Sequence, residues 1–223
     1  MKNIFFLFFL VHFSIYSQSS KKHSTFFEAG INNSFLEGEY YENKNFKIGP
    51  NLGYAFSYGL VYSKNPKINF EASLSIINKN LLVSIEDFSG IYINTHRNLC
   101  FFIGVSKNIK SNLLAGIGVD LDLVVSDDGK GGTYDPNGLS FEVVNKASRT
   151  PIYFPLVFSL EHIFTSKKGR RKSLLFKAKK GFQVVESYSI TTYGNDIQES
   201  QSFGQFKNSS ISLTYRYYFG KTI

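Results

Sequence analysis

The sequence predicts an all-β chain: an eight-stranded antiparallel up-and-down transmembrane β-barrel that follows a cleaved signal peptide. Three observations predict it. Residues 1–17 have the layout of a secretory leader. The rest of the chain alternates apolar and polar residues with the period of a two-faced strand. The connections between those strands alternate short and long.

The leader reads MKNIFFLFFLVHFSIYS. Lys2 supplies its positive start, Ile4 to Phe13 an apolar run too short to span a bilayer as a helix, and Ser14 to Ser17 the return to small and polar residues. Cys100 is the single cysteine, so lipoprotein processing is not indicated and no intrachain disulfide can form. Residues 18–223 carry no linker and read as one outer-membrane barrel domain.

Each strand shows its own alternation. The first, near Thr25 to Phe35, is the least regular. From Phe46 to Tyr62, large groups (Leu52, Tyr54, Phe56, Tyr58, Leu60) share one face, and small or polar ones (Gly53, Ala55, Ser57, Gly59) share the other. The pattern recurs at Ile68 to Ile76, Leu99 to Ile103, Leu113 to Leu123, Ile152 to Leu160, Leu174 to Val184 and Ile211 to Phe219. Large groups on one side and small groups on the other suit a wall between lipid and a narrow lumen.

Three connections are short: Lys64 to Lys67, Lys107 to Ser111, and the basic turn Ser166 to Lys172. Four are long: Leu36 to Asn45, Ile77 to Gly90, Ser126 to Thr150 and Ser187 to Gln205. Outer-membrane barrels have short periplasmic turns and longer outside loops, and an even strand number returns both termini to the periplasm. The long connections are therefore expected outside, and Ser126 to Thr150, which is Gly- and Asp-rich and lacks a strand pattern, is expected to be a mobile, exposed loop.

Composition agrees. Hydrophobic residues make up 43% of the 223 residues, with 23 Phe and 14 Tyr, yet mean hydropathy is only -0.12. That fits two-faced strands and not helical spans, which need runs of about 20 apolar residues. The net charge of +8 is compatible with nucleic acid or anionic lipid, and the leader argues against nucleic acid.

The Phe-rich leader ending in YSQ, the strand NLGYAFSYGLVYS, the turn and strand KNPKINFEASLSI, and the closing LTYRYYF together resemble the small outer-membrane β-barrel family that includes PorT-like proteins. The resemblance covers nearly all of residues 18–223 and is one of pattern. It implies an outer-membrane location and an eight-stranded barrel, and it transfers no catalytic residues. The end of the chain departs from it: Phe219 is followed by Gly220, Lys221, Thr222 and Ile223.

The polar faces supply the candidate site. Glu28, Lys47, Glu71, Asp120, Asp122, Glu161, Lys177, Lys179 and Arg216 fall on the lumen side. An eight-stranded barrel is just wide enough for side chains to fill it, so these charges are expected to pair and plug it. Arg97 interrupts an apolar face and is expected at the outer rim, within reach of lipopolysaccharide phosphates.

No motif points to catalysis or a cofactor. His162 and Ser166 are close in sequence, as a base and nucleophile could be, but the alternation places them at a rim with Glu161 on the opposite face. The loop SDDGKGGTYDPNG lacks the spacing of a calcium or phosphate loop. The turn KKGRRK reads as a solvated turn, with phospholipid headgroups or an acidic periplasmic protein as its functional alternatives. The expectation is a non-enzymatic structural, binding or assembly component of the envelope, with outer-membrane lipid and lipopolysaccharide as partners and no cofactor. Its rivals are a lipid-modifying outer-membrane enzyme and a soluble lipocalin-like barrel.

Overall fold

A computed structural model describes residues 23–40, 46–65, 67–85, 91–130, 139–147, 152–166, 170–182, 184–194 and 197–219. The leader lies outside them. The described residues form β1 (His23–Tyr40), β2 (Phe46–Asn65), β3 (Ile68–Ile85), β4 (Ile91–Lys110), β5 (Leu113–Lys130), β6 (Leu139–Ala147), β7 (Ile152–Tyr153), β8 (Leu156–Thr165), β9 (Arg171–Lys180), β10 (Val184–Gly194) and β11 (Ile197–Phe219). All pairings are antiparallel.

Eight of these strands close a barrel in the order β1, β2, β3, β4, β5, β8, β9, β11. Closure is made by β1 against β11, from Thr25 opposite Phe219 to Tyr40 opposite Gly204. Closure matters because an open strand edge at membrane depth would leave backbone N–H and C=O groups with no water to bond them. β7 continues the β8 wall beside β5, with Asp122 opposite Tyr153. The two segments are separated at Phe154 and Pro155, where proline has no N–H to give the ladder. Asp120 still donates its N–H to the Pro155 carbonyl at 3.1 Å.

The long connections differ from the sequence expectation. Strand pairing runs well into all four of them: β1 extends to Tyr40, β3 to Ile85, β5 to Lys130, and β11 starts at Ile197. β10 pairs with the early part of β11, and β6 pairs with β10. Beyond a bilayer both faces of a strand meet water, so the apolar–polar alternation that marks a wall strand disappears while the backbone ladder continues.

The wall faces follow the alternation. Leu52, Phe56, Ile103, Val119, Phe158 and Leu213 are exposed on the outer surface. Phe26, Val61, Phe102, Leu114 and Tyr218 are buried inside. This rules out the lipocalin-like alternative on physical grounds, because such a barrel turns its apolar faces inward. On the outer phase of β4, Arg97 and Lys107 bracket Leu99, Phe101, Ile103 and Val105. Ten residues at about 3.4 Å each, tilted by roughly 40°, give an apolar band about 26 Å tall, close to what a bilayer core requires.

The interior mixes small and large groups. Asn32, Ser34, Ala55, Ser57, Ser73, Ser75, Ser210 and Ser212 are buried, and so are long side chains from β1, β3, β4, β9 and β11, among them Phe26, Lys79, His96, Lys177 and Arg216. Phe102 lies over the facing pair Gly104 and Gly118: a Cβ on either would come within 2.4 Å of its ring. Glycine is required there because the backbone forms the seat of the ring.

Candidate functional site

The charges of the interior form two clusters. Nearer the short-turn end, Arg216 of β11 is fully buried and touches three carboxylates. Its Nη2 donates to Glu28 Oε2 at 2.8 Å and to Glu71 Oε1 at 2.7 Å. Nη1 donates to Glu71 Oε2 at 2.9 Å and lies 3.5 Å from Glu161 Oε2. The fork–fork contact to Glu71 is bidentate, which a planar guanidinium makes better than a lysine. The same guanidinium stacks 3.8 Å from the Phe26 ring centroid.

Neighbours complete this cluster. Thr214 Oγ1 donates to Glu28 Oε1 at 2.8 Å, and Ser173 Oγ donates to Glu161 Oε1 at 2.5 Å. The Tyr218 hydroxyl also donates to Glu161. Lys177 lies 3.4 Å from Glu28 and 3.8 Å from Glu71, with its ammonium 5.1 Å from the Phe102 ring centroid. Beneath it, Arg171 stacks 4.2 Å from the Tyr218 ring centroid.

The second cluster lies nearer the long-hairpin end. Lys79 of β3 donates to Asp122 Oδ2 at 3.1 Å and to the Tyr153 hydroxyl at 2.6 Å. Lys179 of β9 pairs with Asp120 and lies 3.6 Å from Asp122 Oδ1. Asn98 donates to the Tyr153 hydroxyl, and Cys100 sits opposite Asp122 on the neighbouring strand.

The structure brings Glu28, Glu71, Glu161, Lys177 and Arg216 into the first cluster and Asp120, Asp122 and Lys179 into the second. Lys47 belongs to β2, and its side chain lies outside the described residues. Sequence reasoning missed Lys79, Tyr153 and buried His96. For Lys79 the signal was present, since it continues the inward phase of Glu71, Ser73, Ser75 and Ile77. Arg97 faces outward and is exposed, opposite Asn78 and Ser126.

The other candidates can be placed too. His162 is exposed on the outer phase, its ring 6.5 Å from that of Phe164. Ser166 Oγ accepts the Arg170 N–H at 3.2 Å. Among the described residues no three His, Cys, Asp or Glu side chains gather as metal ligands. Most of the loop SDDGKGGTYDPNG lies outside the described residues.

No family model and no curated protein matches the chain. Among solved structures it is similar to the outer membrane protein OprG from Pseudomonas aeruginosa, with a TM-score of 0.52 at 10% identity, covering 91% of this chain and 98% of that one. It is also similar to outer membrane protein AlkL, with a TM-score of 0.41 at 12% identity, covering 92% and 95%. A third is the outer membrane protease OmpT from Escherichia coli, with a TM-score of 0.42 at 9% identity, covering 89% and 94%. The likeness is one of fold. The likeness to OprG shows that the chain has the fold of an outer-membrane β-barrel, a closed eight-stranded antiparallel sheet, and the outward apolar band suits that fold to a bilayer.

Proposed function

We propose that this barrel is a closed, non-enzymatic component of the envelope that acts through its ends, as a structural, binding or assembly protein, and not through its lumen. One observation carries the reading: the interior charges pair with one another across the barrel. Arg216 spans β1, β3 and β8, and Lys179 reaches both aspartates of β5. An eight-stranded barrel is just wide enough for side chains to fill, and a buried network of this kind supports a lumen that is plugged and not a channel. Its groups are committed to each other and not presented to a substrate. His162 and Ser166 give no support to a lipid-modifying reaction, since among the described residues no carboxylate orients either and Ser166 is used to close its own turn.

The long paired hairpins at the end away from the termini are the natural place for contacts with lipopolysaccharide or another envelope partner. Membership in the PorT-like group is a finer reading, supported by the segments NLGYAFSYGLVYS and LTYRYYF.

Planar-bilayer recording tests the closed lumen. The purified mature chain is expected to insert without steady conductance, and a large, stable conductance refutes the reading. The orientation is tested in intact cells with Cys100 replaced by serine and an impermeant thiol reagent. Gly131→Cys is expected to label at once, and Gly169→Cys only after the outer membrane is permeabilised.

A further inference from the structure

The three short turns share a sequence pattern. Each begins with Ser-Lys and carries a further base at the fifth position: Ser63-Lys64-Asn65-Pro66-Lys67, Ser106-Lys107-Asn108-Ile109-Lys110 and Ser166-Lys167-Lys168-Gly169-Arg170. They join β2 to β3, β4 to β5 and β8 to β9, and so fall at every second junction around the barrel. The fourth junction, β11 to β1, holds the chain ends.

The turns are braced against one another. Asn108 donates its N–H to the Lys67 carbonyl at 3.0 Å, and Ile163 donates to the Asn112 carbonyl at 2.8 Å. Two of the three serines serve their own turns: Ser63 donates to Asn69 Oδ1 at 2.7 Å, and Ser166 accepts from Arg170. Lys67, Lys107, Lys110 and Arg170 are exposed.

Charge is segregated with them. All five described acidic side chains, Glu28, Glu71, Asp120, Asp122 and Glu161, point into the barrel, and the described charges of the turn rim are basic. The bases also sit where the apolar band ends. Lys107 lies between Val105 and Ile109 on β4, both exposed on the outer face, and the Lys172 ammonium is 6.0 Å from the ring of outward-facing Tyr215. That is headgroup depth, not the depth of bulk solvent.

We propose that this rim is a collar for anionic phospholipid headgroups in the leaflet facing the turns. The occupant is lipid and not an acidic protein for two reasons. The pattern repeats around the barrel, as a lipid annulus does, whereas a folded protein would dock on one side. The bases adjoin the lipid-facing wall itself. Clustered cations at a membrane edge read anionic headgroups in this way.

The test uses the full mature chain in micelles containing equal phosphatidylglycerol and phosphatidylcholine, washed with detergent, with retained lipid quantified by mass spectrometry. The wild type is expected to enrich phosphatidylglycerol roughly tenfold or more, given several cations near the surface. Combining Lys67→Gln, Lys107→Gln, Lys110→Gln and Arg170→Gln should remove that enrichment while the unboiled protein keeps its compact migration. The opposite-rim pair Arg97→Gln with Lys180→Gln should lower it much less than the fourfold variant does, because the repeated bases belong to the turn rim. If the fourfold variant does not fold, Lys107→Gln and Lys110→Gln singly should each lower the enrichment. No enrichment by the wild type, or full enrichment by the folded fourfold variant, overturns the proposal. So does binding of polyglutamate in detergent without any lipid preference, which would assign the rim to an acidic protein.

Discussion

Around Arg216 one guanidinium, helped by Lys177, serves three carboxylates from three strands; around Asp122 two lysines serve two aspartates from one strand. The first cluster has a single hub that also stacks on Phe26, and its acids outnumber its bases. The second is balanced and redundant, because Asp122 faces both Lys79 and Lys179. The difference teaches where the barrel is brittle. Loss of the hub leaves three buried carboxylates near one another, whereas loss of one lysine leaves its aspartate with a second cation. A buried charge stripped of its partner is among the costliest defects a fold can carry.

The sharpest way to break this contrast is Arg216→Met. It should lower unfolding free energy by about 3–5 kcal/mol, the range for an orphaned buried charge, measured as the shift in denaturation midpoint in detergent. An unchanged midpoint would mean that Arg216 is not the hub.

Arg216→Lys should recover only part of that loss, leaving roughly 2–3 kcal/mol, because a lysine cannot reproduce the bidentate contact to Glu71 or the planar stack on Phe26. Full recovery would show that charge alone matters in the first cluster.

Lys79→Met tests the redundancy of the second. The expected loss is about 1–3 kcal/mol, since Lys179 still faces Asp122 while the Tyr153 hydroxyl loses the Lys79 ammonium. A loss as large as that of Arg216→Met would erase the distinction between the clusters.

The smallest effect is Ser173→Ala. Ser173 supplies one of two hydroxyl donors to Glu161, so about 1 kcal/mol should be lost, with Tyr218 remaining. The same substitution in an Arg216→Met background should cost more than it does alone, because Glu161 is then short of two partners.

Much of the fold was legible in the sequence because alternation is a covalent property of an extended chain. Once Phe56, Phe101 or Leu213 is on a strand facing lipid, its neighbours Ser57, Cys100 and Ser212 must face the other way. Glu71 and Arg216 belong to inward phases for the same reason. The reading stopped short where the run of large outward groups ended. Lys79 keeps the inward phase of Ser75 and Ile77 and is buried, but its outward neighbours Asn78 and Asn80 are polar, so the segment from Ile77 read as a connection and Lys79 was missed with it.

Partnership inside the barrel was not legible. Glu28 and Arg216 are 188 residues apart and meet only because β1 closes against β11 with those two residues directly opposite. Glu71, 145 residues from Arg216, reaches it across the lumen. The break at Pro155, which lets β7 bring Tyr153 beside Asp122, is likewise a matter of register. The sequence by itself determined which side chains face lipid and which face the lumen, because that follows from a local period of two. Only the tertiary structure decided which acid meets which base, because that depends on the stagger with which eight strands close into a ring.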